Sequence, residues 1–237
     1  MARGSPDWHK SVGITPEGDS LSIYAQPPIW WQENFDNPVL KWRMQSGVGE
    51  ITTLPGDTDY NGGVFSGSGA LAMTTDGGLD AYANTLLPSM PTTTYQGFST
   101  VFMTRDLGDF SDSSFGIMPF RLDWYTGTRY KEAGVTYNPR SGNWYIWEQP
   151  SGAPVLLGKY GVQRWGWHYV KIVFNPVTSY YVSLRIDNNF IDISDRKCYD
   201  VSSDGYSSTQ VAVYCKADTG DEVTVWFDNL TATYGES

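Results

Sequence analysis

Residues 133–147 read AGVTYNPRSGNWYIW. Ala133, Val135 and Tyr137 alternate with Gly134 and Thr136, the period of a strand with one buried face. The run stops at Asn138-Pro139. Ser141-Gly142-Asn143 then supplies turn residues, and Trp144 to Trp147 starts a second strand, so the stretch predicts a β-hairpin.

The same grammar extends in both directions. Upstream, Leu71 and Met73 alternate with small residues, Phe98, Thr100 and Phe102 oppose Val101 and Met103, and Phe120, Leu122 and Trp124 oppose Arg121, Asp123 and Tyr125. Downstream, Val170, Ile172 and Phe174 run to Asn175-Pro176, and Tyr180, Val182, Leu184 and Ile186 run through Asp187-Asn188-Asn189 into Phe190, Ile191 and Ile193, a second hairpin. Val211 and Val213 precede a polar turn over residues 217–221, and Val223, Val225 and Phe227 open a last strand continued by Leu230, Ala232 and Tyr234. No stretch reads as a long amphipathic helix, and no short-period repeat points to a propeller or solenoid. About ten such strands with regular turns predict an all-β fold, two antiparallel sheets packed face to face.

That sandwich is expected over residues 29–237. Residues 1–28 carry Gly4, Pro6, Gly13, Pro16, Gly18, Pro27 and Pro28, which interrupt any regular element and leave an extended N-terminal arm. Trp8, Ile14, Leu21 and Ile23 are its candidate anchors on another protein surface; a disordered terminus is the alternative.

Composition limits the function classes. The 237-residue chain is 40% hydrophobic and only 18% charged, which suits one large β domain. With 16 Lys and Arg against 26 Asp and Glu, net charge −10, neither nucleic-acid phosphates nor an anionic membrane surface is an expected partner. No run approaches the roughly 20 apolar residues of a membrane-spanning helix, so a transmembrane protein is not expected. The opening MARGSPDW lacks the apolar stretch of a secretory signal, so export by that route is not expected either. Two cysteines, Cys198 and Cys215, cannot build a disulfide framework or a four-cysteine zinc site; they form one bridge if strand pairing opposes them, and otherwise serve as small buried residues.

Catalytic constellations are sparse. His9 and His168 have no spaced metal-ligand partner, no Gly-x-Ser-x-Gly elbow accompanies a serine, and His168 reads as a packed or solvent-edge residue at the start of a strand. For glycoside hydrolysis the candidate acids are Asp123, Glu132, Glu148 and Asp192, but Asp123 has no acidic neighbour at i+2 and no Glu-x-Asp-x-Glu strand exists. A lyase needs a Tyr or His base beside an Arg or Gln, for which Tyr125, Arg121, Tyr169 and Lys171 supply the groups without a distinctive pattern. The expectation is therefore a protein that is not an enzyme.

Aromatic surface is what remains. Ten Trp and 16 Tyr exceed what a core of this size needs, and Trp144, Tyr145 and Trp147 put rings on both faces of one strand. Trp144, Tyr145, Trp147 and Tyr125 are candidate platforms for stacking a sugar ring; a subunit interface uses the same residue types.

Two short motifs carry a family resemblance. Residues 33–42, ENFDNPVLKW, and 223–233, VTVWFDNLTAT, together resemble the opening and closing strands of concanavalin-like, laminin-G-like and carbohydrate-binding jelly-roll modules, in an order of elements covering residues 30–234. In that family such carboxylates hold a structural calcium, so the resemblance implies calcium at Glu33 or Asp36 and Asp228; the alternative is that these are turn-forming residues. The N-terminal MARGSPDW is similar to the start of uncharacterised proteins encoded among bacteriophage and other viral structural genes. This implies a virion structural protein made in the host cytoplasm, decorating a capsid or tail. It would dock through its arm on the major capsid or tail protein as a homo-oligomer, with a trimer the expected number. The other readings are a glycan-binding module and, last, a polysaccharide hydrolase or lyase.

Overall fold

A computed structural model describes residues 27–37, 41–52, 65, 67–75, 80–88, 90, 95–104, 110, 116–148, 153–163, 166–218 and 221–236. The four arm anchors Trp8, Ile14, Leu21 and Ile23 lie outside the described residues. Among the described residues sixteen strands form: β1 (Ile29–Glu33), β2 (Arg43–Ser46), β3 (Val48–Thr52), β4 (Ala70–Thr74), β5 (Asp80–Leu87), β6 (Gln96–Thr104), β7 (Ile117–Tyr125), β8 (Arg129–Asn138), β9 (Asn143–Glu148), β10 (Ala153–Lys159), β11 (His168–Phe174), β12 (Tyr181–Ile186), β13 (Asn189–Asp192), β14 (Tyr199–Ser202), β15 (Ser208–Lys216) and β16 (Thr224–Tyr234).

They make two antiparallel sheets, the all-β sandwich that the alternation predicts and the jelly-roll architecture that the resemblance implies. The first runs β13-β12-β11-β6-β16-β4-β3, with β1 also on β16; the second runs β10-β9-β8-β7-β15-β5-β2, with β14 also on β8. The two hairpins read from sequence, β8-β9 and β12-β13, both form. The core lies between the sheets. Phe98 meets Phe120 at 5.1 Å between ring centroids, Trp124 meets Phe174 at 5.2 Å, and Phe102 packs on Tyr137 and Trp144. Each such side chain, taken fully out of water, contributes roughly 1.5 to 3 kcal/mol.

Cys198 and Cys215 are both buried and free, and burial pushes both thiols up. Cys215 faces Ile117 and Ala81 within the second sheet, while the Cys198 N–H donates to the Ser179 carbonyl, so strand pairing does not oppose them. Of its two readings His168 takes the packed one, buried with Nδ1 2.7 Å from Asp187 Oδ2 and its ring against Phe102.

One polar network ties β8 and β14 to the turn before β12. Asp200 accepts from Arg129 Nε at 2.5 Å and from the Ser179 hydroxyl at 2.7 Å, with Lys131 Nζ at 3.7 Å. Burial acts to raise the Asp200 carboxyl, but Ser179, Arg129 and Lys131 hold it below the usual carboxylate range. A carboxyl depressed in the folded state stabilises above its unfolded pKa and loses that contribution as the pH falls through the folded value. Asp200→Asn is therefore expected to flatten the acid limb of a melting-temperature-against-pH curve, measured by calorimetry; an unchanged limb contradicts the assignment.

Candidate functional site on the outward face of the second sheet

Alternation decides which side chains leave the core. On β7, Phe120, Leu122 and Trp124 point inward, leaving Arg121, Asp123 and Tyr125 on the other face. On β8 the inward set is Ala133, Val135 and Tyr137, so Tyr130, Glu132, Gly134 and Thr136 share the outward face. Ala81 and Ala83 of β5 and Val211 and Val213 of β15 are core, which puts Tyr82 and Gln210 outward. Cross-strand register then brings these groups together, because Gln210 lies opposite Asp123 and Asp123 opposite Glu132.

The centre is a dense polar cluster. Arg121 Nε and Nη2 donate to Asp123 Oδ2 at 3.2 and 3.0 Å, and Gln210 Nε2 donates to the same oxygen at 3.1 Å. The Tyr130 hydroxyl lies 3.1 Å from Asp123 Oδ1 and 2.5 Å from Glu132 Oε1, while Arg121 Nη1 is 3.5 Å from Glu132. Asp123 is 0% exposed. Burial pushes the Asp123 and Glu132 carboxyls up; Arg121 opposes this at both, and contact with Asp123 adds to the rise at Glu132. Burial acts to lower the Arg121 guanidinium, but Asp123, Tyr82 and Glu132 outweigh it and hold the group protonated. Its carbon sits 5.9 Å from the Tyr82 ring centroid and 5.7 Å from that of Trp147, a cation between two π-faces.

Aromatic rings continue outward from this cluster. Tyr125 stacks on Tyr130 at 4.6 Å, and Tyr199 meets Tyr130 edge-on at 6.1 Å. Gly205 stands over the Tyr125 ring, and its neighbour Tyr206 is 96% exposed. Where β5 and β7 end and β15 begins, a cavity of about 330 Å³ opens between Leu86, Leu87, Met90, Trp124, Tyr125 and residues 207–209. That volume is near the lower end of the range for small-ligand pockets, roughly 300 to 1,000 Å³. Tyr125 belongs to both the cavity wall and the stack.

The sequence-predicted residues are redistributed. Tyr125 and Tyr145 are half-buried on the outward face. Trp144 is not a platform: it is 0% exposed, tilted on Tyr137 at 4.7 Å, and its Nε1 donates to the Tyr160 carbonyl at 3.0 Å, because pairing with Tyr137 assigns it to the core face. Trp147 does point outward but is only 7% exposed, with Arg121 over its ring, so it forms floor rather than platform. Gly134 makes room for it, since a Cβ there would stand 3.0 Å from Trp147 Cδ1.

The acid pair that the i+2 search misses is present across strands as Asp123 and Glu132. Glu148 is taken by Arg196 at 2.7 Å, and Asp192 caps the Ser194 N–H. Of the lyase set, Tyr125 and Arg121 share this face whereas Tyr169 and Lys171 lie on β11 in the other sheet. Tyr82, Tyr130, Gln210 and Tyr206 were not singled out from sequence.

The three carboxylates implied for calcium meet N–H donors. Glu33 Oε1 accepts from the Phe35 N–H, Asp36 Oδ1 from the Ser68 N–H, and Asp228 from the N–H groups of Phe65 and Asn229. The N–H groups of Phe65 and Ser68 thus reach Asp228 on β16 and Asp36 just beyond β1. Among the described residues no group of three or more His, Cys, Asp or Glu is placed to hold a metal ion.

No protein-family model matches the sequence, and a search of curated proteins gives no match. Among solved structures the chain is similar to peanut lectin solved with a 9mer peptide, at 13% identity and TM-score 0.49 over 87% of this chain and 99% of that one. It is also similar to the carbohydrate-binding module CBM66 from Bacillus subtilis, at 12% identity and TM-score 0.42 over 81% and 94%. A third similarity is to a carbohydrate esterase from Shiga toxin-encoding bacteriophage phi24B, at 10% identity and TM-score 0.46 over 82% and 90%.

Proposed function

We propose that this protein binds glycans through the outward face of its second sheet. One observation carries the reading: Tyr82, Tyr125 and Tyr130 surround Arg121, Glu132 and Gln210 on neighbouring strands of a single face, beside a cavity that shares Tyr125. A sugar offers an apolar C–H face to a flat ring and a rim of hydroxyls to groups that donate and accept, and this surface supplies both. Nothing among the described residues favours the virion role that the N-terminal resemblance implies, so binding becomes the leading reading.

The Asp123/Glu132 pair removes the ground on which catalysis was set aside in sequence. Yet a hydrolytic nucleophile must touch the anomeric carbon. Asp123 lies beneath Arg121, Tyr130 and Gln210, fully buried.

A glycan array followed by titration calorimetry on the best ligand tests the reading. Tyr125→Ala is expected to weaken binding about tenfold, the equivalent of ~1.4 kcal/mol, with a melting temperature close to wild type. Unchanged affinity in Tyr125→Ala, or no glycan bound by the wild-type chain, contradicts it.

A further inference from the structure

We propose that this site takes uncharged sugars and turns uronates away, because Asp123 already fills the seat that an acidic sugar would need. The proposal rests on the glycan-binding reading and adds the chemical class of ligand to it.

A guest carboxylate is recognised by convergent N–H donors, above all the fork of an arginine. The site has such donors, and they are turned toward its own acids and the Tyr82 hydroxyl. Arg121 Nε, Arg121 Nη2 and Gln210 Nε2 converge on one oxygen of Asp123, and Arg121 Nη1 is turned to Glu132. The neighbouring cations of β8 are engaged as well, Arg129 and Lys131 with Asp200 and Lys131 with the Pro176 carbonyl.

Proton counting gives the same answer. The Tyr130 hydroxyl has one hydrogen but two carboxyl oxygens within reach, one from Asp123 and one from Glu132. With both acids ionised, one of those contacts has no hydrogen in it. A single proton kept by the pair satisfies both contacts, and burial favours keeping it. The cluster is then one guanidinium, one carboxylate and one carboxylic acid, with no net charge. Were the pair to lose that proton, the cluster would be negative, so in neither state does it attract an anion. Tyr82, Tyr125 and Tyr130, the other titratable groups facing it, are neutral with their hydroxyl pKa values raised, first by burial and then by Asp123 or Glu132 against the opposing pull of Arg121. The net charge of −10 adds long-range repulsion of polyuronates.

The experiment is titration of the full chain with neutral gluco-, galacto-, xylo- and manno-oligosaccharides and with uronate oligosaccharides of matched length. The expected result is that neutral ligands bind and uronates bind at least tenfold more weakly. A wild-type preference for uronates overturns the proposal while leaving glycan binding standing; binding of neither class overturns both. In the double variant Asp123→Asn with Glu132→Gln, Arg121 becomes an unbalanced cation in a site of unchanged volume. The uronate-to-neutral affinity ratio should rise at least tenfold, and an unchanged ratio in a folded variant also overturns the proposal. If that variant does not fold, Asp123→Ala supplies the readout: acetate should raise its melting temperature more than chloride does, by filling the vacated seat. Equal effects of the two ions count against the proposal.

Discussion

Trp144→Ala is expected to cost about 3 to 5 kcal/mol of folding stability and to lower the melting temperature by on the order of 10 °C. The ring is fully buried, packed against Tyr137 and Phe102, and its indole N–H donates to the Tyr160 carbonyl. Truncation opens a cavity where the two sheets meet and leaves that carbonyl without its donor. The neighbouring Tyr145, on the opposite face of the same strand, is half-buried, with its hydroxyl accepting from Asn143 Nδ2, so Tyr145→Ala should cost under about 1 kcal/mol. Calorimetric melts of the two variants measure the contrast directly. Near-wild-type melting of Trp144→Ala would contradict its place in the core and return it to the list of surface rings.

Arg121→Ala should be equally damaging, for an electrostatic reason. Removing one partner of a buried ion cluster leaves the others uncompensated, at a cost of roughly 3 to 5 kcal/mol. Here the stranded groups are Asp123, fully buried, and Glu132, nearly so. The loss should depend on pH in a defined direction. Both carboxyls are already raised by burial with Arg121 present, and losing its opposing charge raises them further. Carboxyls with raised folded pKa values do not disfavour folding below their unfolded values, and the folded state loses stability as the pH rises through the raised ones. Arg121→Ala should therefore approach wild type in acid and fall progressively below it toward neutral pH. Replacing Arg121, Asp123 and Glu132 together by Met and Leu should recover much of the stability, since an absent ion cluster strands nothing, while abolishing sugar binding. A pH-independent loss in Arg121→Ala contradicts the shared cluster.

Most of the fold is legible in sequence because its strongest strands alternate clearly and end on Asn, Gly and Pro. Three of the strands that escape notice have a local reason. β5, DAYANTLL, buries alanines, so its alternation has little hydrophobic contrast. β10, APVLLGK, carries Pro154 and a Gly158 that marks a register shift, features tolerated because β10 lies at the edge of its sheet. β14 is four residues long and is held by β8.

The site was less legible, because its chemistry is assembled by register and not by spacing along the chain. Asp123 and Glu132 become partners only when β7 and β8 are read as a hairpin turning over residues 126–128, where the Thr126 N–H donates to the Arg129 carbonyl and Gly127 takes φ +89°. That register sets Tyr125 against Tyr130 and Asp123 against Glu132, and it is available from the turn residues alone. The inward fate of Trp144 is available in the same way, since the β8-β9 turn opposes it to Tyr137, on the face of Ala133 and Val135. Tyr82 and Gln210 are different: β15 reaches β7 and β5 from far along the chain, and no local signal announces those pairings.

The most direct test of the account is backbone-amide NMR of the full chain titrated with a neutral oligosaccharide chosen from the array. Shift changes confined to the outward positions of β5, β7, β8 and β15 and to the 203–207 loop beside Tyr125 are the predicted result. Changes centred on the first sheet or on Phe65 and Ser68, with the second sheet silent, would contradict it.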